Sequence, residues 1–251
     1  MSVTQHNSLA GAKRPFQAGG NLPHSKIGAP RLLGFLTRCQ DVLSAPSPGL
    51  RASARAVKNV IGMLTDSKPR RKTLLADYLK SDEDWALDVP ADDRLQRLCS
   101  SLEEALKAGE IPPVHNLCQR FLNLAADFYK VERLTVRVLA ARPVRSREGG
   151  GYELFGDYHP DTMLIRVWMR TAVQKRVTSY GTFLSTLTHE FCHHLDYKLF
   201  HYRDSWHTRG FYARAAVLYH HARGTPAKPL FWAKYPGGRW RIDWPRTNRG
   251  H

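Results

Sequence analysis

His189-Glu190-Phe191-Cys192-His193 holds two histidines four residues apart with a glutamate beside the first. Residues four apart on a helix lie on one face, one turn from each other, so two imidazoles at this spacing can reach one ion. Neutral imidazole nitrogen binds zinc at about 2.1 Å, and three protein ligands leave a fourth position for water. Glu190 is turned about 100° around the helix from His189. From there it can take a proton from a water without being a ligand, and pass it to a leaving amine. Zinc brings the pKa of such a water toward about 7, so the pattern points to hydrolysis at neutral pH. Three fixed residues make a weak signal by themselves. The surrounding residues strengthen it: Phe183, Leu184, Leu187, Phe191 and Leu195 form an apolar stripe that can seat the helix on a core, and Ser179 or Thr182 can cap its start.

A catalytic zinc needs a third protein ligand. Asp196 shares the metal-facing side but lies seven residues from His189, about 10.5 Å along the axis. It is therefore read as an acceptor for a ligand's other ring nitrogen. His194 is turned away from His193 and can at most line the cleft. His207 follows a break at Tyr202-Arg203-Asp204-Ser205. With Asp204 or Ser205 as cap, it falls in the first turn of the next helix, on one face with Phe211, Arg214 and Leu218. His207 is the chosen third ligand, ahead of His201 and then Asp204. Tyr197, Tyr212 and His194 are candidate donors to a developing oxyanion.

The elements that must position these residues can be read from hydrophobic spacing. Helical periodicity covers 92–106, and Pro112-Pro113 ends that helix and opens another from about Val114 to Tyr129, with Leu117, Phe121, Leu124 and Phe128 on one stripe. Strands are expected at 134–140, 152–158 and 163–169, with turns at Glu148–Gly151 and Asp157–Asp161. Helices are expected at about 179–200 and 205–222. The order implies an α+β fold with a small, mostly antiparallel three-stranded sheet packed with helices.

Charge divides the chain. The net charge is +16; residues 1–75 carry +10, residues 76–196 carry −3 and residues 197–251 carry +9. The expected organisation is a basic, largely disordered extension (1–75), a catalytic domain (76–223) and a basic, aromatic tail (224–251). The tail is read mainly as packing onto the domain. Positive ends attract polyanions, so nucleic acid is a candidate partner beside a protein or peptide substrate. The 4 cysteines form no C-x-x-C pair, which excludes a zinc ribbon and a disulfide scaffold. No apolar run reaches the roughly 20 residues of a membrane span, and no secretory apolar core follows Met1. The expectation is a cytoplasmic protein in a reducing compartment. The sequence does not indicate an oligomeric state.

His189-Glu190-Phe191-Cys192-His193, followed by Trp206-His207-Thr208-Arg209-Gly210-Phe211, resembles the SprT-like zinc metallopeptidases over roughly residues 114–222. That family places a later histidine, in an H-G-x-x-F setting, after H-E-x-x-H; here Thr208 and Arg209 separate His207 from Gly210. The resemblance implies a zincin-like metal helix and peptidase activity, in some members on DNA-bound proteins. The C-terminal zinc ribbon of many members is missing, since no cysteine follows Cys192. The contrasting expectation is a basic nucleic-acid-binding protein with a structural or inactive zinc site.

Overall fold

The computed structural model describes residues 37–43, 63–147 and 150–250. The elements run β1 (Thr37–Leu43), α1 (Lys72–Glu83), α2 (Arg94–Ala108), α3 (Ile111–Tyr129), β2 (Thr135–Ala141), β3 (Val144–Arg147), β4 (Gly150–His159), β5 (Leu164–Arg170), α4 (Tyr180–Lys198), α5 (Arg209–Arg223), β6 (Trp232–Tyr235), β7 (Arg239–Ile242) and α6 (Trp244–Arg249). The class is α+β. Most of the extension expected to be disordered (1–75) lies outside the described residues, as does part of the turn at 148–151; Thr37–Leu43 within the former is a strand.

The main sheet has the order β1-β4-β5-β2, with β3 on β4. The three expected strands correspond to β2, β4 and β5. β5 runs antiparallel to β4 and parallel to β2. It is buried at Ile165, Val167, Trp168 and Met169 because the helices cover its face. Where α2 ends, Gly109 takes a left-handed conformation and its N–H closes onto the Ala105 and Leu106 carbonyls. Pro112 and Pro113 then enter the first turn of α3, where no intrahelical N–H is needed.

α4 packs its stripe of Phe183, Leu184, Leu187, Phe191 and Leu195 into the same core as Ile165, Val167 and Met169. Ser179 caps it by accepting from the Thr182 N–H at 3.3 Å. α5 is capped by Thr208, whose Oγ1 accepts from the Phe211 N–H at 3.0 Å. His207 therefore lies just ahead of α5, not in its first turn, and neither Asp204 nor Ser205 is the cap.

The boundary expected at residue 75 cuts through α1, and residues 63–66 ahead of that helix pair with the C-terminal tail, which starts where α5 ends. Thr65 N–H donates to the Trp240 carbonyl at 2.7 Å, and Ile242 N–H donates to the Met63 carbonyl at 3.1 Å. Residues 63–66 thus lie along β7, with Leu64 bridging Arg241. The tail folds as the β6–β7 hairpin and α6, with Ile242 in the core. Its interleaved aromatics allow this packing: Trp232 and Trp244 lie against the core, while between them Arg241 is exposed and the half-buried Arg239 lies over the Tyr235 ring.

Candidate metal centre

Three imidazoles converge. His189 Nε2 lies 3.0 Å from His207 Nε2 and 3.2 Å from His193 Nε2. Nitrogens bound at about 2.1 Å to one tetrahedral ion are about 3.4 Å apart. The three ligand atoms all fall within 4.8 Å of one another, close enough to hold a metal ion.

The hydrogen bonds behind the rings set their tautomers. Ser205 donates its hydroxyl proton to Asp196 Oδ2 at 2.6 Å, so its Oγ can only accept from His193 Nδ1–H, 2.7 Å away. His193 Nε2 is left with its lone pair toward the other rings. On His207, Nδ1 lies 3.2 Å from Asp66 Oδ2, and that carboxylate oxygen also accepts from the His207 backbone N–H at 2.9 Å. The acidic partner fixes the proton on Nδ1 and frees Nε2. Lone pairs aimed at a common point repel unless a cation lies between them. The donor set therefore fits a metal.

Electrostatics agree with neutral ligands. Burial, together with the charge of neighbouring histidines, holds His189 and His193 well below the usual imidazole range. Burial works to raise Asp66, but the charge and hydrogen bonds of His207 outweigh it and hold this carboxyl below its ordinary value. Asp196 is fully buried and pushed up to about 6 by desolvation, against the pull of Arg214 and Ser205. Arg214 Nη2 donates to its second oxygen at 2.8 Å. Asp196 thus reaches a ligand as expected, but through the Ser205 hydroxyl instead of directly.

Glu190 is completely buried, and neither carboxylate oxygen has a hydrogen-bond partner among the described residues. Burial, reinforced by Asp157, raises its pKa well above the usual carboxylate range. It lies against β4 at Gly156. A Cβ there would come within 2.6 Å of Thr186 Cγ2 and 3.0 Å of Glu190 Oε1, so the missing side chain makes room for the carboxylate.

The other candidates are placed elsewhere. His194 Nδ1 lies 2.8 Å from the Tyr158 hydroxyl, and its Nε2 lies 2.8 Å from the Glu132 carbonyl. It is a structural tie that neither ligates nor lines the cleft. His201 is exposed in a left-handed backbone conformation. Asp204 accepts from the Tyr197 hydroxyl and the Ser205 N–H, which removes both Asp204 and Tyr197 from the site. Tyr212 stays beside it, its ring stacked 5.7 Å from that of His207. Phe211 stacks on His193 at 4.4 Å and holds that ring from behind.

Sequence reasoning did not find Asp66, the relay through Ser205, or Gly156. Asp66 lies 141 residues before His207, in a stretch read as disordered. Ser205 was singled out only as a helix cap. Only the three-dimensional packing brings these residues to the rings.

A cavity of about 580 Å³ opens beside His189. It is bounded by α4, α5, Phe155 of β4 and the C-terminal unit. β5 (Leu164–Arg170), the strand beside the metal helix, offers no free edge to an extended peptide: it is bonded to β4 and β2, and the Met169 carbonyl accepts from Thr178 N–H. No helix among the described residues is long and apolar enough to cross a membrane. Comparison with family models, curated proteins and solved structures gives no match, so a functional reading rests on the geometry of this centre.

Proposed function

We propose that the chain is a zinc-dependent peptidase of the SprT-like kind, with His189, His193 and His207 as ligands and Glu190 as general base. One observation carries the reading. Three imidazole nitrogens converge, two of them from α4, and that helix also carries a buried glutamate with no hydrogen-bond partner among the described residues. A purely structural site needs ligands but no such base. Three nitrogens at this spacing suit zinc, which on binding supplies a Lewis acid and brings a water's pKa toward about 7.

The remaining work falls to the chain's own residues. Glu190 accepts the proton of the attacking water at its carboxylate and delivers it to the leaving nitrogen. Its desolvated setting raises its basicity and keeps bulk water from competing for the proton. Asp66 and the Ser205–Asp196 pair hold two of the rings in the ligating tautomer. The cavity beside His189, lined by Phe155, Leu230 and Ile242 among others, offers apolar surface for a substrate's side chains.

The test compares wild type with Glu190→Gln on unfolded casein. Zinc content is expected to be unchanged while cleavage falls at least ~100-fold. Equal activity in the two proteins would remove Glu190 from the mechanism. Nucleic-acid association is a second reading, supported by Lys234, Arg241, Arg246 and Arg249, which are exposed on the C-terminal unit and have no carboxylate in salt-bridge range among the described residues. It requires DNA binding that weakens steeply with salt, and salt-independent or absent binding excludes it.

A further inference from the structure

The cavity beside His189 extends along α4 to its first turn, where Gly181 and Thr182 form its wall. The eight residue steps from Gly181 to His189 span ~12 Å of helix. At the far end the potential is positive from three sources. The first is the N-terminal turn of α4, whose dipole favours anions. The second is Arg223, exposed at the end of α5, which lies against that turn: a Cβ on Gly181 would come within 3.5 Å of its Nη1. The third is Lys228, exposed in the following loop. Lys228 and Arg223 sit close enough to His220 to reinforce the lowering of its pKa by burial.

No aspartate or glutamate among the described residues lines this cavity. Arg223 donates to the Tyr219 hydroxyl and lies over the rings of Tyr180 and Tyr219, and no carboxylate is within salt-bridge range of it among the described residues. The cavity is a trough of mixed lining, apolar over most of its surface, that begins at the metal centre and ends in cations with no carboxylate partner among the described residues.

We infer that this trough is a subsite for an acidic side chain of a peptide, recognised by Arg223 and Lys228 at a distance from the bond that is cut. An extended peptide advances about 3.3 Å per residue, so ~12 Å sets the acidic residue three or four positions from that bond. The inference rests on the peptidase reading for its register. A trough of about 580 Å³ is the size of a few side chains and is too small to admit a nucleic-acid duplex, which favours a carboxylate over a phosphate backbone.

The test uses fluorescent octapeptides that differ only in carrying Glu, Gln or Lys at one position, moved along the peptide. Binding is read by anisotropy on the full-length Glu190→Gln protein, and cleavage of the same peptides is read on wild type. Glu at its best position is expected to bind about fivefold tighter than Gln, with Lys weaker still. Adding Lys228→Glu should abolish the preference and adding Arg223→Glu should invert it, with circular dichroism confirming the fold of each. Equal binding of the three peptides, a preference untouched by both charge reversals, or displacement of the Glu peptide by an oligonucleotide at equal charge would overturn the subsite. Cleavage answers a separate question. A Glu preference in binding without cleavage of any peptide would support the subsite and refute the peptidase.

Discussion

Asp66 offers a test of the metal centre that does not depend on catalysis. Its Oδ2 lies 3.2 Å from His207 Nδ1 and accepts the His207 backbone N–H at 2.9 Å. Its side chain is 45% exposed and the ring it faces is neutral, so what it supplies is one charge-assisted hydrogen bond at the weak end of that class. Such a bond is worth ~1.5 kcal/mol, close to a factor of ten in affinity. Asp66→Asn removes that charge while keeping an acceptor, and should weaken zinc binding about tenfold. Asp66→Ala also removes the acceptor that holds the ring and the backbone, and should reach up to ~100-fold. Competition against a chelator of known zinc affinity measures both at neutral pH, where a carboxyl held below its ordinary pKa is fully ionised. Thermal unfolding of the metal-free proteins separates a lost ligand geometry from a lost fold. If both variants bind zinc as tightly as wild type, then Asp66 does not orient a ligand, and the tautomer argument for His207 fails.

Further outcomes follow from the packing around the site. Gly156→Ala forces a Cβ to within 2.6 Å of Thr186 Cγ2 and 3.0 Å of Glu190 Oε1. Denaturant unfolding should show a loss of ~1–3 kcal/mol, and turnover should drop about 100-fold with zinc retained; full turnover would mean that the position of Glu190 is immaterial. Ser205→Ala breaks the link from His193 to Asp196 and should cost ~1–3 kcal/mol in unfolding free energy, since both buried groups lose a partner. A stability within error of wild type would show that the relay is not used. Glu190 titrates higher when folded than its ordinary value of 4.5, so the folded chain holds a proton that the unfolded chain releases. Stability is therefore lost as pH rises above 4.5, by up to ~1.4 kcal/mol per pH unit until the folded group itself ionises. Metal-free Glu190→Gln escapes this term, and its stability relative to metal-free wild type should improve from pH 4.5 to pH 7. A difference that stays flat with pH would show that Glu190 is not desolvated.

The parts of this molecule that were legible from sequence are those set by short-range periodicity. The spacing of His189 and His193 puts both rings on one helix face, and the stripe from Phe183 to Leu195 says which side of that helix is buried. The alternation in Thr135–Ala141 and the prolines opening α3 are similarly local. His207 could be chosen because it follows a helix break at a distance that lets the chain turn back. Its placement in a helical turn missed because Thr208 is a cap as competent as Ser205, and Ser205 is occupied by Asp196 and His193. The rest depends on packing between distant segments. Asp66 reaches His207 because residues 63–66 lie along β7, and nothing in their composition announces that pairing. Leu164–Arg170 has the pattern of a strand, but whether a strand lies at an edge is a property of the whole sheet. The aromatic tail forms a cavity wall for the same reason: its tryptophans can pack, and only the fold shows against what.

The central claim is that one ion is held by His189, His193 and His207. Elemental analysis of the purified full-length protein after zinc loading and desalting tests it most directly, beside the three single His→Ala variants. The expected result is about one zinc per chain in wild type and a near-complete loss in each variant. A wild-type protein that retains no zinc, or a His207→Ala variant that retains all of it, would contradict the account.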